Sequence, residues 1–150
     1  MMENPFNDEY FIRKALEEAQ TAFEKGEVPV GAIIVHNDKI IARAHNLTET
    51  LNDVTAHAEM QAFTSASDYL GGKYLKNCTL YITLEPCQMC AGASFWTQIS
   101  KIVFGAFDPQ RGFQHLGTSL HPKTKVIGGV LEKECGELIS KFFIQKRNLN

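Results

Sequence analysis

Two cysteines three residues apart, Cys87 and Cys90, form the pair in this chain best suited to chemistry. Pro86 suits the first position of a helix, so the pair is predicted to lie at a helix N-terminus. A spacing of three places both sulfurs on one face of that helix, and the helix dipole favours thiolates, the form that binds metal. By itself, such a pair is also compatible with a redox pair or a structural zinc site.

His57 and Glu59 extend this pair into a candidate catalytic centre. The chain has no second Cys-x-x-Cys pair, so His57, at the start of the preceding predicted helix, is the candidate third ligand. Two thiolates and one imidazole leave the fourth tetrahedral position of zinc open to water. Glu59 can face that water without binding the metal and can transfer its protons. Either residue alone would be interpreted as an ordinary polar side chain, but the combination is the signature of zinc nucleobase deaminases.

Strands and helices alternate along the chain, which predicts a layered α/β domain with a mixed sheet. Apolar periodicity, β-branched runs and turn residues place the boundaries. Helices are predicted over residues 8–25, 55–66, 86–98 and 131–146, and strands over residues 30–35, 39–44, 79–84, 102–104 and 126–127. The segment His36-Asn37-Asp38 is predicted to form a tight hairpin turn between the first two strands.

The composition is that of one soluble globular domain covering residues 1–150, with 44% hydrophobic and 21% charged residues. No apolar run approaches the roughly 20 residues of a membrane span, and the acidic N-terminus lacks the features of a secretory signal, so we expect a cytoplasmic protein. The formal charge is −7 over residues 1–68 and +5 over residues 69–150. A basic second half permits a nucleic-acid partner, although uneven charge along a chain is equally common without one.

Four blocks of sequence resemble the bacterial tRNA-specific adenosine deaminases, and the similarity runs nearly end to end. These are residues 27–32 (Glu-Val-Pro-Val-Gly-Ala), residues 55–59 (Thr-Ala-His-Ala-Glu), residues 79–93, which contain Leu-Glu-Pro-Cys-Gln-Met-Cys-Ala-Gly-Ala, and residues 103–106 followed by Asp108. The zinc signature belongs to the whole cytidine and deoxycytidylate deaminase superfamily. The first and third blocks, with Asp108, point to the tRNA-specific members.

The resemblance implies a three-layer cytidine-deaminase-like fold, with a five-stranded mixed sheet between helices, and usually a homodimer. It implies one zinc ion per chain, held by His57, Cys87 and Cys90, and hydrolysis of the wobble adenosine of a tRNA anticodon stem-loop to inosine. Glu59 would transfer a proton from zinc-bound water to the adenine ring, after which ammonia leaves.

Three further residues match positions where the family contacts the purine or its nucleotide. Asn46 offers a donor and acceptors suited to a purine edge, although a loop-capping role at the end of a strand is the stronger interpretation without the family. The backbone N–H of Ala58 would help to hold the base. Asp108 would contact the substrate nucleotide, although a turn residue before Pro109 is an equally sensible interpretation.

The C-terminal segment resembles a family helix that lies against the anticodon loop. Phe142 and Phe143 would stack on RNA bases, and Arg147, next to Lys146, lies in the same segment. Core packing is the stronger interpretation for at least one of the two phenylalanines. Leu131, Cys135, Leu138, Ile139, Phe142 and Phe143 recur on one predicted face.

Two departures from the family keep other functions open. The loop over residues 111–117 is bulkier than usual, and Trp96 resembles guanine deaminases, which share the zinc motif. The alternative function is therefore deamination of a free nucleobase or nucleoside, most simply guanine. A zinc-stabilised RNA-binding subunit without catalysis is a third possibility, against which Glu59 counts. Cys78 and Cys135 have no ligand partner at suitable spacing and are predicted to be buried.

Overall fold

A five-stranded sheet lies between two layers of helices in this computed structural model, which describes residues 4–149. The helices are α1 (Asp8–Glu24), α2 (Ala58–Leu70), α3 (Gln88–Thr97), α4 (Phe113–Leu116) and α5 (Glu132–Asn148), and the strands are β1 (Gly31–His36), β2 (Lys39–His45), β3 (Cys78–Leu84), β4 (Lys101–Ala106) and β5 (Lys125–Ile127). The order across the sheet is β2-β1-β3-β4-β5. Strands β2, β1 and β3 pair antiparallel, whereas β3, β4 and β5 pair parallel, which confirms the predicted mixed sheet.

The β1–β2 hairpin turns where the sequence predicts it. Asn37 and Asp38 have φ angles of 51° and 60°, the left-handed conformation that a two-residue hairpin turn requires. Asn and Asp tolerate this conformation better than most residues. The start of the first helix is also fixed by a local contact, because the side chain of Asn7 accepts a hydrogen bond of 2.8 Å from the N–H of Tyr10.

Each face of the sheet carries its own hydrophobic core. On one face, α1 and α5 pack against residues such as Ile33 and Val103. On the other face, α2 and α3 cover Ile34 and Ile82. Gly31 allows α1 to approach β1 closely, because a Cβ atom at this position would overlap the main chain of α1. These two layers hold the sheet, and with it the strand ends that carry the site.

Two helices begin later than the sequence predicts. Helix α2 begins at Ala58 rather than residue 55, because Asp53 accepts hydrogen bonds from the N–H and hydroxyl of Thr55 and holds that segment in a turn. Helix α3 begins at Gln88 rather than at Pro86, because Cys87 forms a β-bridge with Gly112. His57 and Cys87 are therefore the N-cap residues of α2 and α3.

The short helix α4 is not predicted by the sequence. Its first residue, Phe113, is buried, and its N–H donates to the carbonyl of Pro86 at 2.9 Å. This long-range bond places α4 beside the N-terminus of α3. Within residues 4–149, every helix is too short or too polar to cross a membrane.

Candidate active site

The three predicted metal ligands meet where the N-termini of α2 and α3 approach each other. His57 Nδ1 lies 3.6 Å from Cys87 Sγ and 3.5 Å from Cys90 Sγ. The three ligand atoms all lie within 4.8 Å of one another. Cys90, in the first turn of α3, is buried, whereas His57 and Cys87 are half-buried and open toward a cavity.

These spacings fit a tetrahedral zinc ion. With Zn–S bonds of about 2.3 Å and Zn–N bonds of about 2.0 Å, tetrahedral angles place a ligand sulfur and nitrogen about 3.5 Å apart. The two observed nitrogen–sulfur distances match this value. Two thiolates and one imidazole are also ligands that zinc prefers, and three protein ligands leave one position for water or substrate.

The electrostatics of the two cysteines favour a cation between them. The Cys90 thiol and the His57 ring bond to Cys87 Sγ and lower the pKa of Cys87 to about 4, although partial burial opposes this shift. Hydrogen bonding to Cys87 and burial raise the pKa of Cys90. A divalent metal ion compensates two adjacent negative sulfurs and allows both to coordinate as thiolates.

Glu59 lies in the first turn of α2, one residue beyond the helix start, and its side chain is buried. Burial raises its pKa to about 7, although the neighbouring His57 charge opposes the shift. A carboxyl group with a pKa near 7 can both accept and donate a proton at physiological pH. Its position beside the ligands therefore suits proton transfer at the metal centre.

The metal centre opens into a cavity of about 680 Å³. Its walls come from the loop after α1, the segment after β2, the N-terminus of α2, the ends of β3 and β4, the loop after β4, and α5. The lining residues are Val28, Val30, Asn46, Thr48, His57, Ala58, Glu59, Leu84, Glu85, Cys87, Ala106, Phe107, Asp108, Pro109, Gln110, Arg111, Gly136, Ile139, Ser140 and Phe143. This volume is in the range of small-molecule sites and accommodates one nucleobase with its sugar.

Asn46, Ala58 and Asp108 all line this cavity. Each polar side chain also bonds to its own loop. Asn46 Oδ1 accepts from the N–H of Thr48 at 3.3 Å, and Asp108 Oδ1 accepts from the N–H groups of Gln110 and Arg111 at 3.1 and 3.0 Å. Asn46 therefore caps its loop and Asp108 stabilises its turn, and both residues also line the cavity.

The paired phenylalanines of α5 face different environments. Phe143 lines the cavity and is 45% exposed. Phe142 is buried and packs edge-on against Phe23 of α1, with ring centroids 6.0 Å apart. Arg147 lies in the exposed last turn of α5, beyond the cavity lining. The structure therefore brings Phe143 to the metal cavity and leaves Phe142 in the core.

This difference predicts that two neighbouring substitutions change the free energy of unfolding by different amounts. Phe142→Ala is expected to lower the free energy of unfolding by about 3 kcal/mol, because it removes a buried ring and leaves a void. Phe143→Ala should change it by less than about 1 kcal/mol, because Phe143 is nearly half exposed. Urea unfolding of both zinc-loaded variants measures the two values, and equal losses would contradict the assignment.

Sequence reasoning missed two buried carboxylates beside the cavity, Glu27 and Glu85. Both occur in the sequence blocks that carry the family resemblance, directly before Val28-Pro29 and Pro86-Cys87. A charged residue one or two positions before a proline, flanking a strand, was the available signal. Their partners lie 22 to 29 residues away and cannot be read from local spacing.

Comparison with known proteins agrees with this geometry. Residues 5–106 match the model of the cytidine and deoxycytidylate deaminase zinc-binding region. The chain is 48% identical over 146 residues to the tRNA-specific adenosine deaminase of Bacillus subtilis, covering 93% of this chain and 91% of that protein.

Two solved structures extend the comparison. A structure from a study of A-to-I editing by tRNA:A34 deaminases superposes with a TM-score of 0.81 at 40% identity, covering 86% of this chain and 98% of that chain. Guanine deaminase from Bacillus subtilis superposes with a TM-score of 0.65 at 39% identity, covering 67% of this chain and 65% of that chain. The chain therefore belongs to the zinc-binding cytidine and deoxycytidylate deaminase family, and within it to the tRNA-specific adenosine deaminases.

Proposed function

We propose that this protein hydrolyses the wobble adenosine of a tRNA anticodon loop to inosine. The observation that carries the proposal is the position of buried Glu59 beside the three ligands, at a cavity large enough for one nucleoside. Family membership supplies the substrate class. The basic residues of the second half of the chain, including Arg147 and Lys146 at the end of α5, suit a polyanionic substrate.

The proposed reaction assigns separate tasks to the residues around the cavity. When bound, zinc acts as a Lewis acid that makes water a nucleophile at neutral pH. Glu59 accepts a proton from the attacking water and delivers it to the adenine ring nitrogen. A second proton transfer then allows ammonia to leave and inosine to form. His57, Cys87 and Cys90 would hold the metal, as their spacing and chemistry fit.

Residues around the cavity would position the nucleotide. Asn46 and the N–H of Ala58 would hydrogen-bond the base, and Asp108 would contact the nucleotide. Phe143 would stack on an RNA base, with Phe142 supporting its ring through an edge contact at 5.3 Å. Arg147 would contact the phosphate backbone.

The test compares RNA with free compounds. Zinc-loaded protein is incubated with an anticodon stem-loop containing a wobble adenosine and, separately, with free adenosine, guanine and cytosine. Mass spectrometry of the digested products detects the change of about +1 Da that accompanies replacement of an amine by a carbonyl. Inosine in the stem-loop, with unchanged free compounds, is the expected result. An untouched stem-loop beside a converted free base would overturn the tRNA assignment.

Guanine deamination is the second candidate, favoured by the structural similarity to guanine deaminase and by the exposed Trp96. Salt distinguishes the two functions. Release of counterions from phosphates makes RNA binding weaken steeply with salt, whereas binding of neutral guanine should be nearly independent of it. We expect KM for the stem-loop to rise several-fold when the salt concentration is raised from about 50 to about 200 mM.

We further propose that one catalytic domain covers residues 1–150 and acts in the cytoplasm as a homodimer. Exposed apolar side chains support the dimer, because such side chains are typical of protein–protein interfaces. Val54 is 84% exposed and Trp96 is 77% exposed. Sedimentation equilibrium should give the mass of two chains, and Trp96→Asp should shift the equilibrium toward monomer. A wild-type protein that sediments as one chain would contradict the dimer.

A further inference from the structure

Two carboxylates that the proposed chemistry does not use lie buried beside the cavity. Glu27 is fully buried in the loop after α1, and Glu85 is 4% exposed at the end of β3. Burying a carboxylate costs free energy unless hydrogen bonds satisfy it. The partners of these two groups therefore indicate what each one is needed for.

Glu85 binds the main chain of the loop that follows β4. Its two oxygens accept hydrogen bonds from the N–H groups of Asp108 and Gln114, each at 3.0 Å. Gly112 lies against the same carboxylate, and a Cβ atom there would overlap it. Gly112 in turn bridges to Cys87. Glu85 thus connects the cavity-lining residues 107–111 to the strand that leads directly into a metal ligand.

Glu27 binds the main chain of the opposite wall of the cavity. It accepts hydrogen bonds from the N–H of Glu49 at 3.0 Å, and from the N–H and hydroxyl of Thr50 at 2.7 and 2.6 Å. These donors belong to the segment between β2 and α2, which carries the cavity residues Asn46 and Thr48 and leads to His57.

Glu27 and Glu85 both accept hydrogen bonds from donors in loops. A carboxylate provides two acceptor oxygens for such donors, whereas a side-chain amide provides one. In Glu27, burial opposes ionisation, but the bonds from Thr50 and Glu49 outweigh it and hold the pKa below its ordinary value. A glutamine has the same shape but turns an NH₂ donor toward an N–H donor, which leaves one bond unmade and one repulsive contact.

We propose that Glu27 and Glu85 are positioning residues, whose carboxylates hold the two opposite main-chain walls of the cavity in the geometry that binds the target nucleotide. This inference rests on the proposed function for its substrate. Neither carboxylate takes part in proton transfer, so loss of either should impair RNA binding more than the chemical step.

The first test needs no catalysis. Residue-resolved amide hydrogen exchange is measured by NMR on the zinc-loaded protein and its variants. Glu85→Gln should accelerate exchange at Asp108 and Gln114 by about 10- to 100-fold, the size expected for a lost charge-assisted hydrogen bond, and leave Glu49 and Thr50 unchanged. Glu27→Gln should give the reverse pattern. Equal acceleration at all four amides in both variants would indicate general destabilisation and overturn the proposal.

The second test separates binding from chemistry. In steady-state assays on the anticodon stem-loop, each Glu→Gln variant should raise KM by about 10-fold or more, with kcat reduced by less than about 3-fold. The matched control is Asp8→Asn, which disrupts a half-buried carboxylate that accepts from Tyr81 and Lys101 and lies outside the cavity lining. It should lower the melting temperature without changing KM. A KM unchanged in both Glu variants would overturn the positioning role.

A second variant and the exchange measurement separate a folding defect, a failure of the proposed function and a failure of the positioning role. If Glu27→Gln fails to fold, Thr50→Val removes only the hydroxyl bond and should give a smaller change in the same direction. If the wild-type protein leaves the stem-loop unconverted, the proposed function fails, whereas the exchange pattern still decides whether the carboxylates hold the two loops.

Discussion

Replacing Glu59 with glutamine is expected to lower kcat on the anticodon stem-loop by about 10²- to 10⁴-fold, the usual contribution of a general acid–base residue. Glutamine preserves the size of the side chain but can neither accept nor deliver the proton. Because Glu59 is not among the three grouped ligands, zinc content should stay at one ion per chain. Rapid-quench assays measure turnover, and inductively coupled plasma mass spectrometry measures the metal.

The control for this variant is Glu137→Gln on α5, which removes the same charge from an exposed side chain far from the metal ligands in sequence. It should retain turnover within about 2-fold, since isolated surface ion pairs contribute little. Near-native turnover by Glu59→Gln would show that another group transfers the proton. Loss of zinc together with activity would show instead that Glu59 supports the metal site.

The metal centre was predictable because most of its geometry is local. Cys87 and Cys90 lie one helical turn apart, so their spacing in the sequence already determines their spacing in space. His57 and Glu59 are also close in sequence, as the N-cap and the second residue of α2. Only the meeting of the two helix N-termini is a long-range feature. Strands β2 and β3 are each antiparallel to β1 and so run in the same direction, and the helices that follow them therefore begin at the same edge of the sheet.

The substrate side of the cavity was less predictable, since it depends on how α5 is rotated about its axis and on partners that are distant in sequence. Phe142 and Phe143 are consecutive, so they project about 100° apart on α5, and the apolar pattern includes both. Which ring reaches the core depends on Phe23 of α1. Glu27 and Glu85 likewise acquire their roles from loops more than 20 residues away.

Replacing Cys90 with alanine is expected to remove both zinc and activity. Partners that only hydrogen-bond a ligand typically account for 10- to 100-fold in metal affinity, so loss of one of three ligands should weaken zinc binding by more than about 100-fold. Zinc bound to the folded state also stabilises it. The variant should therefore lose the increase in melting temperature that added zinc gives the metal-depleted wild-type protein, as measured by differential scanning calorimetry.

Cys78→Ala provides the matched control, because Cys78 is also fully buried but lies at the start of β3, outside the ligand group. Both substitutions remove one buried sulfur and leave a similar void, so both should cost about 1 kcal/mol of packing. Only Cys90→Ala should abolish zinc binding, since only its sulfur lies 3.5 Å from His57 Nδ1. Retention of stoichiometric zinc by Cys90→Ala would mean that a different third ligand completes the site.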